Sequence, residues 1–140
     1  MRTIKEVEEA RALRKAKLAE DREVQRVVDL EALDAAELEH GDSRVASVNV
    51  PFVPGRVTMA IVKCPAEPVI KRYRSQVRPD KDGRVGDTAA AAEALADLCI
   101  VYPPKDALAQ LFADRPGLHA QLGLEAMRLS VGEAEAEGKG

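Results

Sequence analysis

Apolar residues change their spacing three times along this chain. Over the first forty positions they are sparse and fall at helical intervals. Between positions 46 and 61 they alternate with polar residues. Beyond position 69 they return to intervals of three and four, interrupted by prolines and glycines. Residues 3–28 read as one long charged helix, with Thr3 as N-cap and Glu6 in capping-box position. Lys17 and Asp21 form an i,i+4 pair of opposite sign. The stripe of Ile4, Val7, Leu13, Leu18, Val24, Val27 and Val28 is thin for a buried helix. The segment is therefore expected to be a solvated arm, or one that becomes ordered on a partner. Residues 29–40 predict a second, shorter helix. Leu30, Leu33 and Leu38 make its contacts, Asp34 and Glu37 form a local capping pair, and Gly41 is the stop.

A β-hairpin is predicted next. Ala46, Val48, Val50 and Phe52 alternate with Ser47, Asn49 and Pro51; Val57, Met59 and Ile61 alternate with Thr58 and Ala60. Pro54-Gly55 between the runs is turn chemistry, so 44–51 should pair with 56–63. Pro51 cannot donate to a ladder and marks a strand end or edge. A lone hairpin is marginal in water, so helices must cover it.

The rest of the chain reads as short helices. Pro65 and Pro68 start one whose inward face is Val69, Ile70, Tyr73 and Val77, with Lys71, Arg72, Arg74 and Arg78 outward. Pro79 ends it and 80–86 is a polar loop. Asp87 or Thr88 caps a helix running to Val101, with Ala91, Leu95, Leu98, Cys99 and Tyr102 at helical spacing. Its run Ala89–Ala92 permits close helix contact. Pro103-Pro104 breaks that helix and Pro104 opens another, with Leu108, Leu111 and Phe112 inward. Asp114-Arg115-Pro116 restarts the pattern, Leu118, Leu122, Leu124 and Leu129 carry the last helix, and Gly132 ends it. The fold class expected is mainly α: a small bundle of short helices with one β-hairpin (about 44–63), preceded by a charged helical arm. The arm is 1–28, the domain 29–132, and 133–140 a disordered tail.

Composition narrows the function. The chain has 140 residues, a size suited to one domain, with only 3% aromatics and no Trp. Its core is light, and a partner that binds the folded form would add stability. A net charge of −3 carries no overall nucleic-acid signature. Cys64 and Cys99 stand in apolar runs without paired spacing, as reduced, buried residues of a cytosolic protein do. The first residues contain no apolar signal segment, and no run approaches the roughly 20 residues that span a bilayer.

Candidate chemistry is scarce. His40 and His119 are far apart and neither sits in a ligand-like cluster, so no metal is expected. Apolar surroundings raise a thiol pKa, which argues against either cysteine as a nucleophile. No serine has an elbow context and there is no glycine-rich phosphate loop. The chain is expected not to be an enzyme and to need no cofactor. The basic stretch 66–85 carries Lys71, Arg72, Arg74, Arg78, Lys81 and Arg84 against Glu67, Asp80 and Asp82. It reads as a solvated face or a contact for an acidic protein, with a nucleic-acid role the lesser alternative because only Tyr73 could stack.

From about Leu33 to Val131 the succession of elements resembles the tail assembly chaperones of long-tailed phages and prophages. The motifs are Ile70 to Arg74 in the proline-started helix, Cys99 to Pro103, and Arg115 to Leu118. The long helix before Asp29 departs from that pattern. The resemblance implies a chaperone that binds the tape measure protein in the host bacterial cytoplasm, keeps it soluble, and yields it to the tail tube protein. Binding would be helix-in-groove, with Tyr73, Val77, Tyr102, Leu108, Leu111 and Phe112 as the groove and Lys71, Arg72 and Arg74 steering. Self-association stays open. A membrane is not expected as a partner. The alternatives are a structural component of the virion tail, such as a connector or completion protein, and a small nucleic-acid-binding regulator. Family members often make a longer frameshifted product, and Gly138-Lys139 fits the dipeptide that a slippery stretch encodes.

Overall fold

The computed structural model describes residues 1–132. The expected tail 133–140, with Gly138-Lys139, lies outside the described residues. Helix α1 (Ile4–His40) is followed by strands β1 (Val45–Asn49) and β2 (Met59–Lys63), helices α2 (Glu67–Val77) and α3 (Thr88–Cys99), strand β3 (Ile100–Tyr102), and helices α4 (Lys105–Asp114) and α5 (Leu118–Ser130). The helical character and the long N-terminal helix agree with the expected fold class.

Thr3 caps α1 as expected. Its hydroxyl accepts from the Glu6 N–H at 3.1 Å, and the Glu6 carboxylate accepts from the Thr3 N–H at 3.3 Å. The expected division at residues 28 and 29 is absent, because no glycine or proline interrupts the helix there. What changes near that point is contact with the body. Residues 1–20 are exposed apart from half-buried Val7, whereas Gln25, Asp29, Leu33 and Ala36 form a stripe against the sheet. Leu30 and Leu38, expected to pack, are exposed. Asp34 and Glu37 lie within the helix and cap nothing. Gly41, at φ 97°, stops the helix, and its N–H donates to the Glu37 carbonyl at 2.8 Å.

The hairpin forms in antiparallel register, Val45 opposite Lys63 and Asn49 opposite Met59, shorter at its turn end than expected. A Val50 N–H to Thr58 carbonyl bond of 3.0 Å extends the pairing. Arg56 N–H donates to the Val53 carbonyl at 2.9 Å across Pro54-Gly55, with Gly55 at φ 84°. Proline followed by a positive-φ glycine is type II turn chemistry.

The sheet has a third strand that the helical spacing concealed. Helix α3 ends at Cys99, not Val101, and β3 pairs antiparallel with β2, giving the order β1-β2-β3. Central β2 is buried on both faces, so Met59, Ala60, Ile61 and Val62 form one apolar run. One face packs Val45, Met59 and Ile61 against Ala36 and Leu33 of α1. The other packs Ala60 and Val62 against Leu95, Ala96 and Cys99 of α3 and Leu122 and Ala126 of α5. Each large apolar side chain buried here contributes roughly 1.5–3 kcal/mol. The alanine run does permit close contact, with Ala91 and Ala92 buried. A Cβ placed on Gly123 of α5 would overlap the Ala92 carbonyl. Leu124, expected to pack, is exposed; Ala126 takes the inward position.

Candidate partner-binding surface

Two depressions open on the helical side of the molecule. The first lies between α2 and α3. Proline in the first turn of α2 fixes where that helix begins, and its Val69 and Tyr73 then turn toward α3. Together with Arg72, Gln76, Leu95 and Leu98 they bound a cleft of about 230 Å³. Leu98 is 50% exposed, which is high for a large apolar side chain beside a cleft. The second depression, of about 410 Å³, is walled by Ile100, Pro103, Leu108, Phe112 and His119, with Lys105 at its margin. Asp97 of α3 lines both, so the two adjoin along one helix.

The polar groups between them are tied together. A His119 ring nitrogen, Nε2, lies 2.7 Å from Asp97 Oδ1, and Nδ1 lies 3.9 Å from Glu93 Oε2. The imidazole stacks on Phe112 with ring centroids 4.3 Å apart and planes 16° from parallel. This fixes α5 to α3 and α4 through one side chain. No serine, threonine or cysteine lies among the residues walling that depression. Among the described residues, no group of three His, Cys, Asp or Glu side chains is placed to hold a metal ion.

The side chains expected to form one groove are divided among five places. Tyr73 lines the first depression; Leu108 and Phe112 line the second. Val77 is half-buried near the end of α2. Leu111 is buried in the core and cannot meet a partner. Tyr102 belongs to the α1 side of the sheet, where its hydroxyl donates to Asp29 Oδ1 at 2.6 Å. Both leave the groove because periodicity marks an inward face but not its depth. Of the expected steering cations, Lys71 pairs with Glu67 at 3.2 Å across one turn, Arg72 borders the first cleft, and Arg74 is exposed.

Asp29 was read only as a helix start. It is fully buried and accepts four hydrogen bonds: from the Thr58 N–H and hydroxyl, both at 2.6 Å, from Tyr102, and from Gln25 Nε2 at 2.9 Å. Burial pushes its carboxyl up, but the hydrogen bonds from Thr58, Tyr102 and Gln25 outweigh that and hold it below the ordinary carboxylate value. The Tyr102 phenol is pushed up, chiefly by burial and then by its bond to Asp29. This network joins α1, the residue leading into β2, and β3, and is structural. Cys64 and Cys99 are both free thiols; burial raises Cys99 to about 11, while Cys64 is only half-buried.

Among the described residues, no helix is long and apolar enough to cross a membrane. Comparisons of the chain with protein-family models, with curated proteins and with solved structures find no match.

Proposed function

We propose that this chain is a tail assembly chaperone that holds an amphipathic helix of the tape measure protein across α3. The observation that supports the reading best is the pair of partly apolar depressions that adjoin at Asp97. A client helix lying along them would set successive apolar side chains beside Tyr73, Leu98, Leu108 and Phe112, as helix-in-groove recognition requires. Arg72 and Lys105 stand at the borders, where they would steer an acidic client segment. The motif residues Ile70 to Arg74, Cys99 to Pro103 and Arg115 to Leu118 support the same reading, since they bound the helices that shape this surface. The depressions are open and only partly apolar, which suits a hold that the tail tube protein can displace. The proposed compartment is the host bacterial cytoplasm.

Co-expression tests it. A tape measure candidate from the same genome should be recovered soluble with this chain and not without it. Leu98→Asp should abolish that recovery while the chain's own helical circular dichroism is unchanged, because Leu98 is half exposed. Client that is equally soluble alone, or rescued equally by the variant, would sink the proposal. Finding the chain at stoichiometric level in finished particles would favour the structural-component alternative.

A further inference from the structure

The outward face of α1 carries an apolar stripe that the body leaves uncovered. Leu13, Val24, Val27 and Leu38 are 74%, 71%, 58% and 81% exposed. At 100° per residue they cluster on the side of the helix opposite the docked stripe of Gln25, Asp29 and Ala36. Their intervals are eleven, three and eleven, a palindrome about the midpoint between Gln25 and Arg26. A palindromic stripe is what a helix needs to pair with a copy of itself in antiparallel, twofold fashion.

The charges follow the same symmetry with inverted sign. Residues 10–17 hold Arg11, Arg14, Lys15 and Lys17 and no acid; residues 31–39 hold Glu31, Asp34, Glu37 and Glu39 and no base. Reflection through the midpoint sets Lys17 of one copy level with Asp34 of the other beside the seam, while Arg11, Arg14 and Lys15 point away from it. We propose that two copies of this chain pair through the outward faces of α1, antiparallel, with Val24 of each beside Val27 of the other and Leu13 beside Leu38. The palindrome and the Lys17–Asp34 opposition favour a second copy over an unrelated helix, and antiparallel over parallel pairing, in which Lys17 would meet Lys17 and Asp34 would meet Asp34. Each body sits on the far side of its own helix, so the two bodies end on the outside of the pair and do not obstruct it. One opposition is unfavourable: the same reflection sets Glu20 against Glu31.

Sedimentation equilibrium of the full chain at low micromolar to several hundred micromolar concentration reads the pairing. A concentration-dependent dimer is expected. Val24→Glu with Val27→Glu should weaken it roughly a hundredfold or more, because both face the twofold axis. Helical circular dichroism should not change, since both side chains are exposed. Glu20→Lys should tighten the dimer several-fold by replacing two like-charge oppositions with two ion pairs. For orientation, a mixture of Leu13→Cys and Leu38→Cys chains should form a mixed disulfide in preference to either homodisulfide. A monomer throughout the range overturns the proposal. So does a dimer insensitive to the valine substitutions, a dimer weakened by Glu20→Lys, or a dominant Leu13→Cys homodisulfide.

Discussion

Tyr102 and Asp29 stand 73 positions apart in the chain and meet in a hydrogen bond of 2.6 Å between the phenol and the buried carboxylate. The bond fastens the edge strand β3 to the helix that crosses the sheet's opposite end of the sequence. Apart from the bonds that Asp29 accepts from Tyr102 and Thr58, α1 packs on the sheet through Leu33, Ala36 and small apolar neighbours. A short, mostly aliphatic interface is thus given its position by one polar centre.

Removing that carboxylate should be costly. Asp29→Ala takes the acceptor from the buried Thr58 N–H and hydroxyl and from the part-buried Tyr102 hydroxyl, a loss of about 3–5 kcal/mol. Tyr102→Phe removes one donor and leaves the carboxylate its other three, a loss of about 1.5–3 kcal/mol. The double variant should lose less than the sum, because the bond can be lost only once. Urea unfolding of the four proteins measures the coupling, and strict additivity would show that the contact contributes nothing of its own.

The same centre sets an acid limit. The folded-state pKa of Asp29 is depressed below 3.8. Its contribution is therefore complete above the unfolded value and is lost as pH falls from about 4 through the lower folded value. Between pH 7 and pH 3 the wild type should lose more stability than Asp29→Asn, which starts lower and has no such proton to bind. Parallel loss in the two proteins would assign the acid limit to other carboxylates. On the alkaline side Tyr102 has the opposite sign: its raised pKa makes stability present below pH 10 and lost above it.

Most boundaries of α2 to α5 were legible because proline and glycine punctuate them. Pro68 in the first turn of α2, Pro104 as the cap of α4 and the Val53–Arg56 turn all follow from local backbone chemistry. Strand β3 was not legible. Cys99 and Tyr102 continue the helical spacing of α3, and only the free edge of β2, some forty residues earlier, turns Ile100–Tyr102 into a strand. Asp29 was hidden for the same reason, since its partners are non-local. At the candidate surface, Tyr73, Leu108 and Phe112 line the two depressions, whereas Val77, Leu111 and Tyr102 do not. Helical period gives the direction of a side chain but not how far the neighbouring element covers it. On α1 the expected contact Leu33 packs on the sheet but Leu30 and Leu38 do not, because Ala36 and the carboxylate of Asp29 face it instead and allow a closer approach.

Gly123→Ala reverses the usual helix rule. In an exposed helix this change adds about 1 kcal/mol of stability. Here the new methyl would overlap the Ala92 carbonyl, so α3 and α5 must move apart across the largest part of the core. A net loss of about 1–3 kcal/mol is expected, read as a lower unfolding midpoint. A gain in stability would mean that the two helices are not as closely packed as this.

Truncation separates the two halves of α1. Residues 1–20 touch the body nowhere that buries a side chain, and their half-buried Val7 lies beside the capping turn. Deleting them removes the capping box and one exposed ion pair, Lys17 to Asp21 at 3.0 Å, which is worth little in solvent. The monomer's free energy of unfolding should change by no more than about 0.5–1 kcal/mol. Deleting residues 1–29 removes Gln25 and Asp29 as well and strands the hydroxyl of Tyr102 and both donors of Thr58. That chain should lose about as much as Asp29→Ala or more, even though Leu33 and Ala36 remain to cover Met59 and Ile61. Urea unfolding of the two truncations, followed by circular dichroism, distinguishes the outcomes. A large loss on removing only residues 1–20 would mean that the arm stabilises the body without burying side chains against it.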